Sequence, residues 1–354
     1  MKVNIVDVSK EIFAGGDVPK DRFSIKKTEK YSVPVYANAE KNNGLYGYTD
    51  LAKVNDECVT VAARGTIGYC ARRYEPFLPV VRLITVIPNH KIISNDYLYY
   101  ALKKIKLNGS GTSIPQLTVP DIKKYSFNLV DIEQQKDIVR RLEKVEKIIE
   151  YRKQQIDIVD NLVKARFVEM FGTIDKPEKE FEKATLKELC NKITDGKHGG
   201  CTTEEGTERY FVGAREIYDD MVHYDTAPEI NVGEFEKDYK RCNIEKGDFL
   251  IVNTGATIGK SAIASDEKTE HTLLQKSVAL LKVKPEVLNP VFIKWCYRVN
   301  THMYMVESAS AQPNLLLSKI NSTVIYVPNI ELQNQFADFV KATDKSKLLL
   351  TVLH

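Results

Sequence analysis

The side chains of this chain best placed to do chemistry are ones that grip an anion or read a polar edge. They are Lys41, Asn42, Asn43 and Tyr46 in residues 38–48, and Arg64 and Thr66 in Arg64-Gly-Thr-Ile-Gly68, with Arg72, Arg73 and Arg82 beyond. The second half of the chain offers Lys197 and His198 in residues 194–202, Asn253, Thr257 and Lys260 in Asn253-Thr-Gly-Ala-Thr-Ile-Gly-Lys260, and the pair Gln275-Lys276. Asn, Gln, Lys and Arg carry the donors and acceptors that match base edges in the major groove, while basic and aromatic neighbours hold the phosphate backbone. Polar loops are also how any β-rich domain turns, so residues 38–48, residues 194–202 and the pair Gln275-Lys276, taken singly, read more readily as solvated turns than as DNA contacts.

Motifs that would make the chain an enzyme fall short. Gly255-Ala-Thr-Ile-Gly259-Lys260-Ser261 approaches a phosphate-binding loop, yet that loop needs glycine where Thr254 stands, and Arg64-Gly-Thr-Ile-Gly68-Tyr69 has no lysine. A tight strand-to-strand turn explains both, and its glycines let backbone approach a ligand closely. Asn289-Pro-Val-Phe292 is similar to the Asn-Pro-Pro-Phe/Tyr loop of amino-methyltransferases, but a helix cap followed by proline accounts for it, with Asn95 as the matching cap. Pro120-Asp121-Ile-Lys123 offers one acid and one lysine to a nuclease, with Lys319 where a second copy would need the acid. No catalytic group and no metal ligand is nominated, since the 6 cysteines and 6 histidines fall in no ligand or triad spacing.

What positions these loops is a duplication. Residues 55–68 read in step with residues 246–259 at an offset of about 191, Ser113-Ile-Pro-Gln-Leu117 with Ala311-Gln-Pro-Asn-Leu315, and Val130-Asp-Ile-Glu-Gln-Gln135 with Pro328-Asn-Ile-Glu-Leu-Gln333 at about 198. A length of 354 residues with 43% hydrophobic content predicts at least two cores, and a net charge of +3 announces no global polyanion partner, so any such surface is local. Val33-Pro-Val-Tyr36 and residues 80–86 read as strands, residues 96–106 as a helix behind Asn95. Residues 133–171 form one helical pattern, about 58 Å long, whose seam is Ile138, Leu142, Val145, Ile149, Ile156, Val159, Val163 and Met170. Arg152 and Arg166 interrupt that seam, either to fix register or where the packing partner is not a helix. Gly172 stops the helix, and the final segment repeats its start with Leu332, Phe336, Phe339 and Val340 but reaches only His354.

With these features in place, the chain resembles the specificity subunits of type I restriction-modification systems. The stretches that carry the likeness are Val33-Pro-Val-Tyr36 through Gly47-Tyr-Thr49 into Arg64–Gly68, Gly111-Thr-Ser-Ile-Pro-Gln116, Asp131-Ile-Glu-Gln-Gln135, Lys164-Ala-Arg-Phe167-Val-Glu-Met-Phe171-Gly172, Ile193-Thr-Asp-Gly-Lys-His198 and residues 253–259. The resemblance implies an α/β (α+β) fold: two mixed α/β target recognition domains in tandem, residues 1–130 and 173–328, separated and followed by conserved helical regions, 131–172 and a short 329–354, that pair as an antiparallel coiled coil. It implies a non-catalytic subunit that binds double-stranded DNA at a bipartite site, one half read by each domain. Methyltransferase subunits would sit on the helices and motor-nuclease restriction subunits join the complex, with S-adenosylmethionine, ATP and Mg in those partners and no cofactor in this chain. No apolar run long enough to span a bilayer is present, and the expected location is the cytoplasm. The rival reading is a structural adaptor whose duplicated domains bind another ligand on a coiled coil.

Overall fold

The computed structural model describes residues 1–109, 115–303 and 314–352. It divides into two compact units, Met1–Glu150 and Tyr151–His354.

In the first unit, strands Ser9–Ala14, Ile84–Pro88, Cys58–Val61 and Cys70–Arg73 form an antiparallel sheet in that order. Cys58–Val61 is one of the two interior strands, buried throughout like Ile84–Pro88 beside it, as a run of β-branched and small apolar residues predicts. One face, bearing Val59, Val61, Ile84 and Val86, packs on Leu98 and Leu102 of the helix Asn95–Lys104. Strand Val33–Tyr36 pairs antiparallel with Leu45–Thr49 and parallel with Leu78–Pro79, and Lys2–Asn4 pairs with Ser126–Asn128.

The second unit repeats the plan. Strands Cys190–Asp195, Val278–Val283, Phe249–Val252 and Ser261–Ile263 hold the same order, Tyr210–Val212 runs parallel to Thr272–Leu274, and Glu182–Thr185 pairs with Val324–Val327. The helix Pro290–Val299 sits in the core with Phe249, Ile251, Ala279 and Leu281.

The repeat is out of step by one residue on its central strand. In the first unit Ala62 N–H donates to Tyr69 and Gly68 N–H to Ala62; in the second Val252 N–H donates to Lys260 and Gly259 N–H to Val252. Ala62 therefore matches Val252, an offset of 190, while Gly68 still matches Gly259 at 191, because Ala256 is an extra residue in the second turn. Gly65 (φ 68°) and Gly255 (φ 92°), then Gly68 (85°) and Gly259 (88°), occupy the same left-handed positions. An ungapped alignment would turn every side chain of that strand to the opposite face.

Other sequence expectations also shift. The strand foreseen over residues 80–86 is broken where Val81 (φ 53°) and Arg82 (φ 62°) make a left-handed turn, and the strand begins at Ile84. The cap of the helix Asn95–Lys104 is Ser94, whose hydroxyl accepts from Tyr97 N–H; Asn95 lies inside the first turn and is buried. Asn289 does cap its helix, with Pro290 at the first position. The long helix runs Ile132–Phe171 and the distal one Ile330–Val352.

Neither boundary of the predicted central helical region separates compact units, because the long helix contributes to both cores. Val139, with Ile138 beside it, closes the first, while Val163, Phe167 and Phe171 enter the second. Of the predicted seam, Leu142, Val145 and Ile149 are exposed, so a continuous heptad stripe is not buried within either unit. Val163 and Phe167 pack with Phe336 and Val340 of the distal helix, which is where two helices meet. Of the repeated Pro-Gln/Asn-Leu stretches, residues 110–114 and 304–313 lie outside the described residues, as do residues 353–354 of the distal segment. Among the described residues no helix is long and apolar enough to cross a membrane.

Candidate nucleic-acid interface

In each unit five chain segments meet along one edge, built by matching backbone contacts. At the first, Gly15 and Gly16 lie against residues 79–80, and a Cβ on Gly15 would sit 2.5 Å from the Pro79 carbonyl carbon. At its counterpart Gly196 a Cβ would sit 2.1 Å from the Leu274 oxygen, and Lys197 bridges to Gln275 as Gly16 does to Val80. Val80 N–H donates to Tyr36 as Gln275 N–H donates to Val212, and Leu117 N–H donates to Ala63 as Leu315 N–H donates to Asn253. Glycine is required at 15 and 196 because two backbones touch there.

On this shared frame the side chains differ. In the first unit Gln116 Oε1 accepts from Arg64 Nε (2.9 Å) and Nη2 (2.7 Å) and from Arg82 Nη1 (3.5 Å). Neither guanidinium has a carboxylate partner among the described residues, so two like charges converge on one neutral amide. Asn38 Oδ1 accepts from Ala63 N–H (2.7 Å) and its Nδ2 donates to Val81, tying residues 38–48 to both turns. In that loop Asn42 and Asn43 adopt left-handed backbone, Asn43 Oδ1 accepts from Tyr69 Oη (2.9 Å), and Lys41, Asn42 and Tyr46 are exposed, Tyr46 packed on Phe23. Thr66, at the tip of its hairpin turn, is exposed as well.

In the second unit Thr254 Oγ1 stands where Arg64 does and lies 3.4 Å from Asn314 Oδ1, the counterpart of Gln116. Lys276 N–H donates to Lys197, Asn253 N–H to Ser277, and Ser277 Oγ accepts from Ala214 N–H, the position of Asn38. His198, Lys276 and Lys260 are exposed. Asp195, buried, accepts from Arg241 Nη2, and its Oδ2 lies 3.3 Å from His198 Nε2. Lys260 lines a polar cleft of about 380 Å³ with Tyr218, Asp219, Asp220 and Arg298.

The model for the type I restriction modification DNA specificity domain matches residues 1–160 and 178–351. The chain belongs to this family. S.MpnORF89P of Mycoplasma pneumoniae, named as a candidate type I specificity subunit, is 32% identical over 168 residues, 44% of this chain and 50% of that protein. A second such protein, S.MpnORF507P, is 34% identical over 137 residues, 39% of this chain and 37% of its own length. The chain thus matches half or less of the length of these relatives. The crystal structure of a type I restriction-modification S subunit from M. genitalium shares the fold with a TM-score of 0.52 at 16% identity, covering 100% of this chain and 93% of that one.

Several foreseen contact residues are engaged by their own chain, and two of them, Arg73 and Asn253, are buried. Arg73 is 4% exposed, donates to Thr60 Oγ1 and the Asn43 carbonyl, and lies 3.5 Å from the Tyr36 ring centre; burial holds its pKa below the usual arginine value. Arg72 faces Asp96 (3.1 Å) and Glu143 (3.2 Å) and stacks on Tyr99, so its charge is neutralised by its own chain. Lys197 is paired with Asp238 (2.7 Å) and Glu234 (3.3 Å), the first of which raises its pKa most. Asn253 is buried and serves the frame through its backbone. Thr257 accepts Lys260 N–H within the turn, and Gln275 packs on Gly213, where a Cβ would meet Gln275 Oε1 at 2.3 Å.

Sequence reasoning passed over Gln116 and Asn314 as polar contacts, although the repeated Pro-Gln-Leu and Pro-Asn-Leu marked both. It passed over Arg241, for which no local motif gave a signal. Among the described residues no group of three or more His, Cys, Asp or Glu side chains is placed to hold a metal ion.

Proposed function

We propose that this chain is the DNA-recognising subunit of a type I restriction-modification complex, each unit reading one half of a bipartite site through the five-segment edge. The observation that carries this is an edge repeated in backbone and divergent in side chains: Asn38, Arg64, Arg82 and Gln116 in one copy stand where Ala214, Thr254, Ser277 and Asn314 stand in the other. A constant frame with variable polar side chains suits two readers of different sequences. Arg64 and Arg82, convergent and without a carboxylate partner among the described residues, suit a phosphate or guanine, either of which would relieve their repulsion.

The exposed apolar residues of the long helix, Leu142, Val145, Ile148, Ile158 and Leu162, suit cover by protein. The methyltransferase subunits are the proposed cover, together with coiled-coil pairing to the distal helix. S-adenosylmethionine, ATP and Mg would belong to those partners and to the motor-nuclease subunit. The test is to co-express the chain with a type I methyltransferase subunit and map methylated adenines by single-molecule sequencing. A two-part motif with a fixed gap is expected; no motif, or DNA affinity indifferent to salt, would favour the adaptor reading.

A further inference from the structure

Arg241 belongs to none of the repeated segments, yet it is an exposed cation beside the second edge whose guanidinium is held by three acceptors. Its Nε donates to the carbonyls of Asp195 (3.0 Å) and Gly196 (2.9 Å), and its Nη2 donates to Asp195 Oδ1. Asp195 is buried and its side chain only 10% exposed, while the Arg241 side chain is 43% exposed. The inner side of the guanidinium is thus clamped against residues 195–196, the segment that touches Leu274 and Gln275 at the edge. No hydrogen bond within the described residues engages Nη1, so the Nη1/Nη2 side faces outward. His198 Nε2 lies 3.3 Å from both Nη2 and Asp195 Oδ2, which fixes the imidazole beside the guanidinium.

We infer that Arg241 is a specificity-determining residue of the second unit, reading the O6/N7 edge of one guanine, with Asp195 as the positioning residue that aims it. This rests on the DNA reading of the second edge and names a contact within it. The rigidity argues for a base rather than a phosphate. A phosphate contact tolerates a swinging side chain, whereas a bidentate contact to guanine needs the fork held in plane. A clamp of one carboxylate and two carbonyls supplies that constraint; with His198 Nε2–H donating to Asp195 Oδ2 rather than accepting from Nη2, the outer Nη1 and Nη2 N–H groups stay parallel and open to guanine. Lys197, the nearby cation that sequence alone favours, is consumed by Glu234 and Asp238 and is not available for it.

The experiment selects sequences from a library of randomised DNA duplexes with the full chain and with Arg241→Lys, Arg241→Ala and Asp195→Asn. Thermal melts identify any variant that fails to fold. The parent is expected to enrich a two-part motif with a guanine in the half assigned to the second unit. Both Arg241 variants should lose preference at that one position by about tenfold or more, leaving the other half-site and the salt dependence intact. Asp195→Asn, nearly the same shape, should relax the same position while Arg241 is still present. An unchanged motif in folded Arg241→Lys overturns the inference. So does a uniform loss across all sequences with a salt slope reduced by about one, the mark of a phosphate contact. A folded parent that enriches nothing removes the DNA reading itself, and this inference with it, and that result is distinct from a parent motif that Arg241 does not alter.

Discussion

Arg64 and Arg82 share the Gln116 carbonyl oxygen with no acid among the described residues to balance them, and that lack of balance is what a polyanion would use. If each meets a phosphate, Arg64→Ala and Arg82→Ala should each flatten the salt dependence of DNA binding by about one unit, measured by titration across salt; a base contact would instead cost about 1–3 kcal/mol at one position. Lys260→Ala, in the polar cleft of the second unit, serves as the comparison. The same scale carries a pH effect. Glu234 accepts from Thr202 Oγ1 (2.7 Å) and Lys197 Nζ, which hold its pKa down at about 2. A depressed carboxylate stabilises the fold fully above its unfolded value and loses that contribution as pH falls towards about 2. Glu234→Gln should therefore flatten the acid limb of a stability-versus-pH curve measured by chemical denaturation, with no change in the curve's shape near neutrality. Residue type was legible in the sequence here, but commitment was not. Arg72 and Arg73 are the same residue type as Arg64, and only the fold reveals that Asp96, Glu143 and the Tyr36 ring already hold them.

Gln135 and Gln333 show the repeat at the level of elements. Each is buried at the start of its helix; Gln135 Nε2 donates to the carbonyls of Ile92 and Val130 while Oε1 accepts Ser94 N–H, and Gln333 makes the matching bonds to Val287, Pro328 and Asn289. The amide clamps each long helix to the cap of the helix that packs on the sheet. Gln135→Ala or Gln333→Ala leaves three backbone groups, most of them partly buried, without their partner and should cost about 2–4 kcal/mol, read by urea denaturation, whereas a surface position such as Gln134 should tolerate alanine. Phe167, stacked on Phe292 (5.5 Å) and edge-on to Phe336 (5.3 Å), is the matching apolar anchor, and Phe167→Ala should cost about 3–5 kcal/mol. The duplication, the long helix and the glycine turns were legible because spacing encodes them. The one-residue slip at Ala256 was not, since an extra residue in a turn leaves no trace in hydrophobic pattern. Nor was the broken heptad seam: periodicity marks which face is apolar, and Val139 and Phe171, rather than Leu142 and Ile149, are what the cores bury.

At the scale of the whole molecule, two units of one plan share a single helix whose middle belongs to neither core. If the helix sets the distance between half-sites, seven residues inserted near Gln155 would lengthen it by about 10 Å and keep the same face outward. The methylated motif should then gain about three base pairs of gap at ~3.4 Å each, with both halves unchanged; an unaltered gap in an active complex would rule the helix out as the ruler. Around that midpoint Ile148, Ile149 and Tyr151 are 53%, 36% and 62% exposed, and the boundary between the compact units falls at Glu150. Two related genes that recombine within these few codons would exchange a complete folding unit without cutting through a core or parting one half of the reading edge from the other. A single crossover would then give a folded protein with a new pairing of half-site preferences, a change that point mutation, working one loop side chain at a time, could reach only through many intermediates.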